Sequence, residues 1–233
     1  MKSKILALVM SMSLAVSAAA AGSMIPAVTS TAASQSTTNV DGSSTVTTQT
    51  KSGNVITTKE TTTTSSKAKF VMTTTRNELS GETNMDLVSY DSTGKQLSET
   101  TYELVGVQGN TVKLTSIVTS ESTAIVPETI VSCGQEYIVY KVGSMVLVNN
   151  DSIKKLVIGK NIIAIGEAAF TSNKNLKTIT INSDKIDYVG ENAFDGINKK
   201  AVISIKADKK LYKHIAKWIK LSGIEKTIKY KRI

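Results

Sequence analysis

Hydrophobic and polar positions change their period several times along the chain, and each change predicts a different element. From Phe70 to Val118 apolar and polar residues alternate at the period of a β-strand. Phe70, Val71 and Met72 open the stretch, and Met85 to Tyr90 alternates. Asp91 to Gly94 reads as a turn, and the alternation resumes through Tyr102, Leu104 and Val107. Gly109 and Asn110 then turn the chain into Thr111 to Val118, so residues 70–121 are expected to form an antiparallel β region. Upstream, 25 of the 47 residues from Thr29 to Thr75 are Ser or Thr. Two readings stay open there. One is a flexible Ser/Thr-rich spacer over 22–69, with too little apolar surface to offset ordering its backbone. The other is a Thr-rich hairpin through Thr45–Thr48 and Asn54–Thr58, turning near Gly53, which leaves 44–75 partly ordered.

A longer period governs residues 153–194. Ile153, Leu156 and Ile158 recur as Leu176, Ile179 and Ile181, all at one constant spacing. Ile165, Gly166, Glu167, Ala169 and Phe170 recur as Val189, Gly190, Glu191, Ala193 and Phe194, at that spacing plus one. Periods of about 20–29 residues belong to units that stack, because one unit alone cannot bury its apolar face. Leu156–Ile158 and Ile179–Ile181 read as short parallel strands. Ile162, Ile165 and Phe170, with Ile186, Val189 and Phe194, are assigned to the interior. Gly166 and Gly190 are expected where the chain reverses without room for a side chain. Glu167–Phe170 and Glu191–Phe194 are expected as single helical turns.

Both ends of this repeat call for a cover. On the N-terminal side, Pro127 interrupts a β run. Ile130 to Val142 then reads as a hairpin turning at Cys133-Gly134, with Tyr137, Val139 and Val142 over the first open end. On the C-terminal side a third strand, Ala201 to Ile205, precedes a helix capped by Asp208 and ended by Gly223. Leu211, Ile215, Trp218 and Ile219 fall on one helical face, as expected of a capping helix rather than a membrane-surface helix. Thr227 to Lys231 supplies a closing strand.

Export and charge change the picture next. Lys2 and Lys4, an apolar run from Ile5 to Val16 and small residues to Ala21 form a secretory signal peptide over residues 1–21. With no later apolar run of membrane length, the expectation is an exported protein, secreted or held at the cell surface. The net charge of +9 is concentrated at one end: residues 199–233 hold 12 Lys/Arg against 2 Asp/Glu. Cys133 is the single cysteine, which rules out an intramolecular disulfide. His214 is the single histidine, far from Cys133 in sequence and set among lysines. Neither a Cys–His pair nor a metal-ligand cluster is legible, so no enzyme, cofactor or metal is expected. Glu78, Glu82, Asp86, Asp91, Glu99 and Glu103 lack the spacing of a calcium loop and read as solvated strand faces.

The Ile165-Gly166/Ala169-Phe170 and Leu176/Ile179–Ile181 pattern resembles the BspA-like leucine-rich-repeat family of exported bacterial proteins. So do the lead-in from Ile125 to Met145 and the lysine-rich end from Ile203 to Ile233. Where family units often carry Cys before the second Leu, this chain has Asn173, Lys174, Asn175 and Leu176. The resemblance spans residues 122–233 and implies a short leucine-rich-repeat solenoid, an α/β arrangement of parallel strands with short helical turns. A C-terminal capping helix closes it, and the antiparallel β region precedes it. The family's association with adhesion implies a non-enzymatic surface module that contacts a host, matrix or other cell-surface protein.

Alternation along the repeat strands assigns Lys155, Val157, Lys177, Thr178 and Thr180 to an outward binding face. The alternative is attachment of the basic tail to anionic wall polymers or membrane, through Lys209, Lys210, Lys213, Lys217, Lys220, Lys229, Lys231 and Arg232. The export signal, and lysines not interleaved with stacking aromatics, argue against nucleic acid as a partner.

Overall fold

The computed structural model describes residues 33–105 and 109–233; the stretch read as a signal peptide, the first part of the Ser/Thr-rich stretch and Val107 lie outside them. The chain divides into two units. One comprises the residues to Thr111 together with Thr129–Tyr137, and the other comprises Val112–Glu128 and Ile138–Ile233.

In the first unit six consecutive strands form an antiparallel meander: β1 (Ala33–Thr38), β2 (Ser44–Ser52), β3 (Val55–Thr63), β4 (Lys69–Asn77), β5 (Thr83–Tyr90) and β6 (Gln96–Leu104). Residues expected either as spacer or as a partial hairpin thus contribute three paired strands. Turn chemistry sets the register. Gly53 at φ 58° and Gly94 at φ 88° sit in the left-handed region that glycine enters without a Cβ penalty. Asp91 Oδ1 accepts from the backbone of Thr93 and Lys95 and from the Thr93 hydroxyl, which staples the β5–β6 turn. These bonds, led by the Thr93 hydroxyl, hold the Asp91 carboxyl below its ordinary value. Phe70, Met72, Met85 and Tyr102 are buried and share one face of the sheet by register. The first strands carry hydroxyls instead: Thr45 and Thr62 bond across β2 and β3 at 3.0 Å.

In the second unit the strands run parallel. β8 (Thr123–Val126), β11 (Lys155–Ile158), β13 (Thr178–Ile181), β15 (Val202–Ile205) and β16 (Lys229–Arg232) form one ladder, in the order β16-β15-β13-β11-β8. A second set pairs β7 (Thr111–Thr119) with β10 (Gln135–Val142), then β10 with β12 (Ala164–Ile165) and β12 with β14 (Tyr188–Val189). Between them Leu156, Ile179 and Ile203 form one buried column, and Ile158, Ile181 and Ile205 another. Val142, Ile165 and Val189 form a third. Phe170 and Phe194 are fully buried, their rings stacked at 5.5 Å between centroids.

Three expectations are corrected here. The segments after Gly166 and Gly190 are turns, not helical turns. Ala168 and Asn192 hold φ of 49° and 56°, and Met145, at the matching place one unit earlier, holds 52°. The amides of those turns bond to the neighbouring unit, as in Ala168 N–H to Glu191 O and Phe170 N–H to Ala193 O, and i→i−4 helical bonding would consume these donors. Gly166 and Gly190 have no positive φ; a Cβ on either would lie 2.5 Å from the backbone of the preceding unit. Close approach between units, rather than chain reversal, excludes a side chain there. Finally, β9 (Thr129–Ser132) and β10 turn at Cys133-Gly134 as read from the sequence, but β10 is itself a rung rather than a cover. Lys141 pairs with Ala164 and Val142 with Ile165, so the stacking starts earlier than the two clear repeats.

Helix α1 (Lys209–Leu221) closes the far end. Asp208 accepts from the amides of Lys210 and Leu211 at 2.7 and 2.8 Å, and Gly223 follows at φ 87°. Ile215, Ala216 and Ile219 are buried, with Leu211 and Trp218 half-buried on the flanks. Just past the last helical residue, Ser222 O accepts from Asn192 N–H, extending the inter-unit bonding into the cap. No described helix is long and apolar enough to cross a membrane.

Candidate functional site

The five-stranded parallel ladder builds the face on which the repeat candidates sit. In each repeat strand the second and fourth residues point to the core, leaving the first and third outside. The register aligns Thr123, Lys155, Thr178, Val202 and Lys229 in one row. It aligns Ile125, Val157, Thr180, Ser204 and Lys231 in the next. Neighbours within a row are about 4.8 Å apart, the spacing of paired strands. Lys155 and Thr178 are exposed, while Val157 and Thr180 are half-buried by their neighbours. Lys177, exposed, stands one residue before the first row.

Parallel pairing of β16 brings together residues that the sequence assigned to rival sites. Lys229 and Lys231 continue the same two rows as Thr178 and Thr180. The rest of the basic tail lies elsewhere. Lys209, Lys210, Lys213, Lys217 and Lys220 are exposed on α1, where the Lys220 ammonium lies 5.1 Å from the centre of the Tyr230 ring. Arg232 is exposed and pairs with Ile205, at the parity opposite to the two lysines.

Sequence reasoning missed Thr123, Ile125, Val202 and Ser204 as members of the face. A signal was present: Thr123–Val126 has the same outward-inward alternation as Lys155–Ile158. It lay further off than one repeat, because the β9–β10 excursion is inserted between them.

Polar groups inside the second unit serve to join units. Asn173 is fully buried; its Nδ2 donates to Leu147 O and Phe170 O at 2.8 Å, and its Oδ1 accepts from Asn150 N–H at 2.9 Å. Asn173 therefore cross-links the turns of two units.

In the first unit Glu60 accepts from Cys133 N–H at 2.7 Å, anchoring the tip of the β9–β10 turn. Burial there pushes the Glu60 carboxyl up from its ordinary value. Cys133 is exposed at the turn, and local desolvation and secondarily the Glu60 charge push its thiol up from its ordinary value. Of the acidic residues read as strand faces, Asp86, Glu99 and Glu103 lie on strands, whereas Glu78, Glu82 and Asp91 lie in the connections between them, and Glu78 pairs with Lys51 at 2.7 Å. Among the described residues no group of three or more His, Cys, Asp or Glu is arranged to hold a metal. His214 Nε2 accepts from Trp218 Nε1 at 3.1 Å, an interaction within the cap.

The repeat also matches a known family. Residues 110–217 match the BspA type Leucine rich repeat region, in six copies. Proteins of this family are characteristically bacterial and extracellular or at the cell surface. A solved structure, a leucine rich cell surface protein from Faecalibacterium prausnitzii A2-165, is 21% identical with a TM-score of 0.40. That similarity covers 46% of this chain and 30% of the other. No curated protein matches the chain.

Proposed function

We propose that this is an exported bacterial surface protein whose repeat region is a short solenoid, closed at its C-terminal end by α1. It binds a protein partner at the cell surface through the outer face of the parallel ladder. The observation that carries this reading is the register that lines Lys155, Thr178 and Lys229 in one row and Val157, Thr180 and Lys231 in the next. A paired ladder fixes the backbone positions of these side chains, so little backbone entropy is lost on binding. Lysines at the β16 end favour an acidic partner surface and raise the association rate at low salt.

Attachment of the basic tail to anionic wall polymers or membrane is the second reading, favoured by the exposed lysines along α1. The two separate by charge replacement at constant fold; truncation before α1 would expose the last buried columns. Binding to host or matrix proteins should fall at least tenfold in a Lys177→Ala/Thr180→Ala variant. It should persist when Lys209, Lys210, Lys213 and Lys217 are changed to Gln. The reverse pattern, with steep loss across a salt series, identifies the tail as the attachment site.

A further inference from the structure

The second set of parallel strands leaves its own outward row: Lys141 on β10, Ala164 on β12 and Tyr188 on β14, paired across the three rungs. A short side chain between two long ones makes a slot. Lys141 and Tyr188 stand two strand spacings apart, about 10 Å between their Cα atoms, with Ala164 as the floor. The slot continues over Gly143 and Gly166, with Thr115 and Ser144 also in the lining, as an open groove of about 490 Å³. Tyr188 is 50% exposed on the outward side of β14, the last strand of its sheet. Trp218 of α1 backs it, with ring centroids 6.1 Å apart, so the ring is held in place. The groove lining carries two lysines, Lys113 and Lys141, and no carboxylate. The Lys141 ammonium lies 5.1 Å from the centre of the Tyr140 ring.

We propose that this slot binds one pyranose ring of an acidic glycan, such as a uronic-acid-containing oligosaccharide. The ring lies over Ala164 with its apolar face against Tyr188, its hydroxyls meet Thr115 and Ser144, and its carboxylate is met by Lys141. The width suits a single flat ring, and an aromatic wall facing convergent polar groups is the usual make-up of a small-molecule site. The Lys141 ammonium selects an anionic sugar over a neutral one. This site is separate from the ladder face and does not depend on it.

Calorimetric titration of the full mature chain with tri-galacturonate and with neutral maltotriose tests it. Saturable binding of the uronate, at least tenfold tighter than of maltotriose, is expected. Tyr188→Ala and Ala164→Leu should each weaken it at least tenfold. The second places added bulk on the outer face, where the buried columns are untouched, so folding is retained. Lys141→Gln should reduce the preference for the uronate, and Lys229→Gln/Lys231→Gln should leave it unchanged. Absence of saturable uronate binding, equal affinity for both sugars, wild-type affinity in Ala164→Leu, or equal loss in the Lys229/Lys231 variant would each overturn the proposal.

Discussion

The two units use β-strands in opposite ways. The meander of the first is built from local pairs, each strand following a short turn, and its sheet holds together where hydroxyls outnumber apolar side chains. Phe70, Met72, Met85 and Tyr102 supply its buried patch, while β1 to β3 contribute no buried hydrophobic side chain among the described residues. In the second unit each ladder strand waits a whole unit for its partner. The stability of that arrangement resides in columns: Leu156 on Ile179 on Ile203, and Phe170 on Phe194. Turn chemistry organises one unit, and side-chain stacking at a fixed period organises the other. Glycine shows the difference in miniature, allowing a left-handed turn at Gly94 and a close backbone approach at Gly166.

The largest effect is expected from interrupting a column. Phe170→Ala removes one of two stacked, fully buried rings and should cost about 3–5 kcal/mol by chemical denaturation. A Thr61→Ala change in the meander, by contrast, should stay within about 0.5 kcal/mol. Equal losses would mean that the columns carry no special weight. Next is Asn173→Ala, which orphans the carbonyls of Leu147 and Phe170 and the amide of Asn150. At about 1–3 kcal/mol for a buried polar group left unpaired, the same denaturation curve should register a clear loss.

Glycine replacements sharpen the contrast further. Gly166→Ala forces a Cβ into the backbone of Gly143 and Ser144, and overpacking of this kind costs about 1–3 kcal/mol or more. Gly94→Ala meets no atom within 4 Å and bears only the left-handed penalty of about 1–2 kcal/mol. Asn at position 94 should recover much of that loss, since Asn tolerates the left-handed region. Asn at position 166 should recover none.

The smallest expected effect concerns Glu60. Its folded-state pKa is raised by burial, so the folded protein holds this proton more tightly than the unfolded chain does. Between the unfolded and folded values the folded state binds more protons, and stability falls as pH rises through that window. Glu60→Gln keeps an acceptor for Cys133 N–H without a charge. Denaturation midpoints measured from pH 4 to 8 should show the variant losing this slope. A wild-type slope in the variant would mean the carboxylate is not the cause.

Much of the second unit was legible because its physics repeats. A buried position in one unit is buried in the next, so Leu156 and Ile179, or Phe170 and Phe194, announce one another in the sequence. Local chemistry was legible too: Asp208 as a helix cap, Gly223 beyond its end, and the turns at Gly53, Asp91–Gly94 and Cys133-Gly134. The three Thr-rich strands were half legible. Alternation was present, but without apolar residues it did not separate a strand from a spacer.

What the chain by itself determined were the periods, the inward positions and the ends of elements, all of which depend on residues near one another in sequence or on a spacing that recurs. Tertiary structure alone decided which outward side chains stand together. Lys229 and Lys231 joined Thr178 and Thr180 only through the parallel pairing of β16 with β15. Lys141 and Tyr188 came to flank Ala164 only because β10 is a rung. Burial imposes one apolar requirement on every unit and so leaves a repeated trace, whereas outward residues are free of it. Their grouping follows from register between strands a full repeat or more apart along the chain, which no local pattern records.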